Sequence, residues 1–445
     1  MRVRGAAWVI LMAMSVAMVG GCTSARTSTR SDGNTDAERA VVTLTRSRSS
    51  RSTAREAPPR VALPPTLIAR PSVQYLTRLS DAVDLTRIQM PQIAASAEAA
   101  ASRVTRGARL FVAGTQADFA AEMIDRAGGL AAIAPVPRIL NRGDVVLYAV
   151  PSRMTVADRI RISHWRSQGV YVVGFASAKL SNDPYFQPDV LIDSGDDEGL
   201  LLGDGKICPS DTVMNLVNAW TWTGEYVAAC TRLGRMPVLN QSLGESGAFA
   251  RATKYRGRTF HDDVKVTAIA PGKLGGEYLD VIAASLAGML RKAPATLEFG
   301  GRWLRDTRAS SRGLYVASTI FPTHFADARA PQPFGKIGEL QLRQPPQTPL
   351  SVVIGYEDPP QIAIDFATMR RGRLIYSSAR RDGADRRQEV LYIDPHTQRG
   401  DACVKVAGYD IKILPASSVM QAAVYWSLIA ESAPPLTTTA RAAAR

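Results

Sequence analysis

The chain has 445 residues, 46% of them hydrophobic, and a formal net charge of +14 from 54 Lys and Arg against 40 Asp and Glu. Eleven arginines and four acidic residues fall between Met1 and Arg70, so half of that excess sits at the N-terminal end and the basic balance is no argument for a nucleic-acid partner. The four cysteines, Cys22, Cys208, Cys230 and Cys403, show no paired ligand spacing, which excludes both a zinc site and a disulfide framework as readings of the sequence.

Residues 1–22 are a leader. Arg2 and Arg4 precede an apolar run from Ala6 to Val19, and Gly20-Gly21 precede Cys22. The segment resembles a bacterial lipoprotein signal, whose box is matched here by Val19-Gly20-Gly21-Cys22, with Val where Leu is usual. The resemblance implies lipidation of Cys22, membrane contact through the N-terminal lipid, and an extracytoplasmic place in the cell envelope, on the periplasmic or outer-membrane face. An ordinary secretory signal is the alternative, and the run is short for a membrane span. Residues 23–70 are rich in Ser, Thr, Arg and Pro, with Leu44 almost the only large apolar residue before Val61, and read as a disordered basic tether. With Cys22 assigned to lipid, an odd number of cysteines remains, and any single bridge among Cys208, Cys230 and Cys403 has no readable pairing.

From about Ser72 to Arg106 apolar residues recur at helical spacing, including Tyr75, Leu76, Leu79 and Val83. Strands and helices then alternate: strand Arg109 to Ala113, helix Phe119 to Ala127 closed by Gly128-Gly129, strand Val145 to Val150, helix Val156 to Ser167, strands Val170 to Phe175 and Val190 to Ile192, and a long helix from Asp211 to about Leu233. Continuous apolar strands in such alternation predict a parallel, doubly wound sheet with helices on both faces. The same order returns later: helices from Glu277 to about Thr307, strands Leu314 to Ala317 and Ser351 to Tyr356, helix Ile362 to Met369, strands Leu374 to Tyr376 and Val390 to Ile393, and helix Ser418 to Glu431. Val213-Met214 and Trp220 match Val419-Met420 and Trp426 at an offset of 206, and other landmarks keep offsets of 203 to 207. A repeat this long predicts a duplicated domain. Leu130 to Arg142 and the Pro-rich Ala330 to Pro349 read as connections, and Pro237 to Lys273 as the surface segment joining the copies.

Four stretches of the first copy resemble the sugar isomerase (SIS) domain, a phosphosugar-binding α/β module. Leu110-Phe111-Val112-Ala113-Gly114-Thr115 with Arg126-Ala127-Gly128-Gly129-Leu130 is similar to its first strand, binding turn and helix end; Gly143-Asp144-Val145-Val146 to its second strand; Gly169 through Ser177 to its third; and Tyr255-Arg256-Gly257-Arg258 to the tail of one subgroup. The resemblance covers Ser72 to Arg258, and more weakly Glu277 to Glu431. It implies two tandem three-layer α/β/α domains, each a mostly parallel five-stranded sheet: residues 71–258, then a divergent 259–435, with 436–445 a disordered tail. It also implies a carbohydrate-derivative ligand, phosphorylated or acidic, at the carboxyl ends of the strands, no cofactor, and leaves a homo-oligomer open. The implied ligand residues are Gly114, Thr115, Gln116, Ser152, Arg153, Thr155 and Ser177.

The chain departs from that family where the phosphate loop belongs. It has Val150-Pro151-Ser152-Arg153-Met154-Thr155, without the usual Gly and with one N–H removed by Pro151. Ser152, Arg153 and Thr155 remain as anion ligands, or Ser152 and Thr155 merely cap the next helix. In the second copy Glu357 and Asp358 stand there and would repel a phosphate. An isomerase also needs a base. Glu122, Glu225 and His261 are the weak candidates, the last two expected at an inter-domain cleft with Lys254 and Lys273 flanking His261. His164 reads as packing, His324 and His396 have no visible partner, and Asp196-Asp197-Glu198 reads as a solvated turn. The expectation is a lipid-anchored binding protein without full isomerase activity, the alternatives being a sugar-phosphate isomerase and an envelope scaffold that has lost its ligand.

Overall fold

Apolar strands buried on both faces set the first sheet. β1 (Leu110–Gly114), β2 (Ala134–Pro135), β3 (Val145–Ala149), β4 (Tyr171–Ala176) and β5 (Val190–Asp193) pair in the order β2-β1-β3-β4-β5, all parallel. Alternate residues of each strand enter separate cores, as the two-residue period requires. Val112, Leu147 and Val173 pack in one core with Ala97, Ala101 and Val217, whereas Phe111, Val146 and Val172 pack in the other with Ile162 and Trp165. The result is a three-layer α/β/α arrangement. One layer holds α1 (Pro71–Ile88), α2 (Met90–Thr105) and α5 (Asp211–Arg232); the opposite layer holds α4 (Val156–Ser167). α3 (Phe119–Asp125) follows β1, and a short antiparallel hairpin, β6 (Leu200–Leu202) with β7 (Gly205–Ile207), leads into α5.

The computed structural model describes residues 63–116, 119–151, 154–195, 199–202, 205–309, 314–318, 350–355, 372–381, 389–398 and 400–433. All of these belong to one compact unit, Glu56–Arg445. Among them no helix is long and apolar enough to cross a membrane. After α6 (Ala248–Lys254), α7 (Lys273–Lys292) and α8 (Pro294–Ala309) comes a second parallel sheet of β8 (Leu314–Ser318), β9 (Leu350–Ile354), β10 (Arg373–Ser377) and β11 (Val390–Ile393), in the order β11-β10-β9-β8. Another antiparallel hairpin, β12 (Ala402–Lys405) with β13 (Lys412–Pro415), leads into α9 (Ser417–Ser432). α5 and α9 are apolar or small nearly all round, and their side chains are buried along almost their whole lengths, as an all-round apolar helix must be.

The two halves cross over one another. α5 packs on α2 of its own half and on α7 of the other, α9 packs on α8 and on α1, and α1 packs on α7. Buried carboxylates tie these crossings. Glu225 of α5 accepts the backbone N–H of Gly272 at 2.6 Å and of Gly275 at 2.9 Å, at the start of α7. Glu431 of α9 accepts the N–H of Ser72 at 3.1 Å and its hydroxyl at 2.5 Å, at the start of α1. Each helix N-terminus thus has an orphan donor satisfied, and its positive dipole end faced, by an acid from the other half. Glu225 and Glu431 stand 206 positions apart, and other paired features keep a spacing of 203 to 206. Tyr75 donates to the Pro209 carbonyl at 3.0 Å and Tyr278 to that of Pro415 at 3.1 Å. Cys208 and Leu414, each just before those prolines, both take a positive φ, 61° and 63°.

Several sequence expectations change here. The second sheet has four strands among the described residues; any counterpart of β2 would fall in 319–349, which lies outside them, as does the expected helix Ile362 to Met369. Leu130 to Arg142 is more than a connection, since it contributes β2. Pro237 to Lys273 contains α6 and a bridge from Pro237 to Phe260. Both hairpins were hidden because strands of three or four residues are too short for a periodic signal. Cys208, Cys230 and Cys403 are all buried, and none of them forms a disulfide among the described residues.

Candidate functional site

Open parallel sheets bind ligands beyond the carboxyl ends of their strands, where the strand order reverses. In this sheet that place is the junction of β1 and β3, neighbours in space although β2 intervenes in sequence. Gly114 ends β1 with φ +153°, so close to β3 that a Cβ would stand 2.2 Å from the Ala149 carbonyl oxygen. That same oxygen accepts the Thr115 N–H at 3.1 Å and the Gln116 N–H at 3.4 Å, which turns the chain across the strand ends. Buried Gln116 donates to the Thr212 carbonyl at 2.9 Å and accepts from Asn215 at 2.8 Å. Asn215, on the first turn of α5, also donates to the Val150 carbonyl at 3.1 Å. Its Oδ1, and the Ser194 hydroxyl just past β5, are buried without a hydrogen-bond partner among the described residues. One turn along α5, Asn218 donates to the Asp193 carbonyl at 3.0 Å and accepts from Thr86 at 2.6 Å.

The N-terminus of α4 borders this turn. Thr155 and Asp158 form a reciprocal capping box. Asp158, fully buried, receives the Thr155 N–H and hydroxyl at 2.7 Å each, the Thr115 hydroxyl at 3.3 Å and the Tyr148 hydroxyl. Arg161 donates in turn to the Tyr148 oxygen at 3.0 Å. Burial, and then the neighbouring Asp158, push the Tyr148 phenol well above its usual pKa, so it stays a donor. The seat at this helix end is therefore filled by the chain's own carboxylate.

The sequence-predicted residues divide accordingly. Gly114, Thr115 and Gln116 meet at the β1 turn, and Thr155 comes within reach of Thr115 through Asp158. Thr115 and Thr155 thus donate to a resident acid rather than standing free as anion ligands. Buried Ser177 accepts the Lys179 N–H at 3.4 Å and caps a short 3-10 turn, Ala178–Asn182. Ser152, Arg153, Glu357, Asp358, Asp196, Asp197, Glu198, His324 and Cys22 lie outside the described residues. Asp158 and Asn215 were missed, although Thr155-x-x-Asp158 is a capping signature readable from spacing alone. In the second half Gln421, 206 positions after Asn215, likewise donates to the carbonyl following its strand, Gly355, at 2.6 Å.

The acid–base candidates are engaged elsewhere. Glu122, expected beside the first turn, is fully buried, accepts from Ser418 and lies 3.5 Å from Arg126, which bonds Asp401 at 2.6 Å. Burial raises the Asp401 pKa, against the pull of Arg126 and Ser417. Glu225 faces no cleft: it is sealed between α5 and α7, and burial raises its pKa against the two N–H groups it accepts. His261 is also buried, edge-on to the rings of Tyr255 and Tyr409, with Nε2 3.0 Å from the Tyr409 hydroxyl. Lys254 pairs with Asp263 at 2.5 Å. His164 is exposed rather than packed, because Trp165 beside it turns inward. His396 does have a neighbour, its Nδ1 lying 3.5 Å from Asp394. A small cavity lined by Val104, Leu110, Leu130, Ile133, Tyr226 and Val238 lies at the amino end of β1, away from the candidate site.

No protein-family model matches the sequence, and no curated protein sequence matches it. Solved structures similar in shape include the C-terminal domain of glucosamine-fructose-6-phosphate aminotransferase from Francisella tularensis, at 8% identity, covering 82% of this chain and 96% of that one with a TM-score of 0.45. A candidate phosphosugar isomerase from Silicibacter pomeroyi is 10% identical over 81% of this chain and 96% of its own, with a TM-score of 0.43. A candidate sugar-binding protein from Salmonella typhimurium is 8% identical over 81% of this chain and all of its own, with a TM-score of 0.44. Likenesses this distant carry no residue assignment to the present chain, whose fold rests on its own sheet order.

Proposed function

We propose that the carboxyl end of the first sheet binds a carbohydrate derivative without isomerising it. One observation carries this reading: beside the Asp158 seat, the described residues at the strand-reversal point are uncharged hydrogen-bonding groups, Thr115, Gln116 and Asn215, while Glu122, Glu225 and His261 are each consumed in contacts that hold the molecule together. Such amides and hydroxyls suit a polyol; aldose–ketose chemistry needs a free base within reach of the substrate. The motif resemblance around Gly114, Val145 and Ser177 supports a sugar over other polyols. A ligand of the native state raises the thermal midpoint by mass action, so a panel of sugars should include at least one that does so while no sugar phosphate is isomerised. Turnover of any sugar phosphate would favour the isomerase, and a flat panel would favour the scaffold.

The same reading places the domain outside the cytoplasm on a lipid at Cys22, from the Val19-Gly20-Gly21-Cys22 box. Cys22→Ala should move the protein from the membrane to the soluble fraction; unchanged retention would remove the anchor from the proposal.

A further inference from the structure

We propose that the ligand of the first sheet is an unphosphorylated sugar, because the chain seats its own Asp158 carboxylate at the N-terminus of α4, where the anionic group of a ligand would otherwise sit. This rests on the carbohydrate reading and narrows its ligand class.

A helix N-terminus next to a strand-reversal point attracts anions through its free N–H groups and its dipole. Here the chain's own Asp158 occupies that position. Two hydroxyls, a backbone N–H and a phenol converge on Asp158: Thr115 at 3.3 Å, Thr155 through N–H and hydroxyl at 2.7 Å, and Tyr148. The Asp158 N–H itself donates to the Thr155 hydroxyl oxygen at 3.2 Å, which closes the box. A phosphate ester arriving here would meet the buried Asp158 carboxylate at contact distance, with these four donors already engaged, and like charges repel most where water is thin. The other groups at the site ask for the opposite chemistry. Asn215 is fully buried with both amide hydrogens engaged, and among the described residues its Oδ1 and the hydroxyl of buried Ser194 have no partner. Buried acceptors without partners are costly unless a donor arrives. The Asn215 Oδ1 can accept from a sugar hydroxyl but not from a phosphate oxygen, whereas the Ser194 hydroxyl, donor and acceptor at once, suits either.

Calorimetry on the full chain tests this with glucose, N-acetylglucosamine, their 6-phosphates and inorganic phosphate. The expected result is that a free sugar binds at least tenfold more tightly than its ester, and that inorganic phosphate gives no heat. Asp158→Ala, which empties the seat and frees its donors, should then bind inorganic phosphate at least tenfold more tightly than the unaltered chain. Should that variant not fold, Asp158→Asn keeps the shape of the cap and removes the charge, and it should narrow the preference against the ester. An unaltered chain that binds the ester as tightly as the sugar overturns this proposal while leaving the carbohydrate reading in place. If none of the sugars or esters binds, the carbohydrate reading fails and this one with it.

Discussion

Asp158 and His261 are both buried and polar, but they differ in what surrounds them. Asp158 is met by four donors. His261 has Tyr409 at one nitrogen, while Asp263 lies 3.6 Å from the other. Burial, and then Arg251, hold the imidazole pKa below its ordinary value; Asp263 and Asp410 pull the other way and lose. In the unfolded chain the same histidine takes up its proton near pH ~6.5. Between that pH and the lower folded value the unfolded state binds more protons, so the contribution of His261 is fully present above pH ~6.5 and declines as the pH falls below it. His396 is shifted downward for the same first reason and adds to the slope. Urea midpoints should therefore fall as the pH drops from neutral through that range, and His261→Phe, which keeps an aromatic ring in the slot, should lose part of the slope. An unchanged slope would mean that the imidazole binds its proton equally well in the folded and unfolded chain.

At the level of elements, the reciprocal glutamates make a sharper comparison than either does alone. Glu225 uses both oxygens, one for the Gly272 N–H and one for that of Gly275, whereas Glu431 uses only Oε1 for both groups of Ser72. An amide offers one acceptor and a pair of donors. Glu225→Gln should thus turn an NH2 toward a buried N–H and cost roughly 1–3 kcal/mol, the usual penalty for a buried polar group without a partner. Glu431→Gln keeps its working oxygen and should come close to neutral. Alanine at either position should cost more than the corresponding amide, since it leaves the N-terminus of α7 or α1 without its acceptor. Equilibrium denaturation of the four variants checks this, and equal costs for the two amide variants would show that charge at the helix end matters more than acceptor count. These contacts were not legible in the sequence. Glu225 and Glu431 lie amid apolar helix faces that mark burial, but nothing in helical periodicity names the distant N-terminus each one meets.

For the whole molecule, what was legible is what local rules control. Unbroken apolar runs such as Val145 to Val150 announced parallel strands, and the 206-residue spacing recurs between contacts such as those of Glu225 and Glu431. The capped seat at α4 was within reach of spacing rules, yet Asp158 gains its meaning only from Tyr148 and Thr115, which tertiary structure brings to it. Least legible was the crossing of the halves, because contacts such as Ser72 to Glu431 span 359 positions. That crossing leads to a prediction about folding. α1 buries Val73, Leu76, Leu79 and Val83 in the core shared by both halves, and α5 is buried partly by α7. Cutting between Arg258 and Thr259 would strip each half of such partners and leave large apolar faces in water, at about 25 cal/mol for every Å² exposed. Each half would also keep a buried glutamate with no helix end to meet. Residues 63–258 and 259–433 made separately should therefore lack a cooperative unfolding transition, and the two made together should recover one and purify as a complex. A cooperative transition for either piece alone, at a midpoint near that of the intact chain, would show that the halves are self-sufficient domains and that their crossing is only contact.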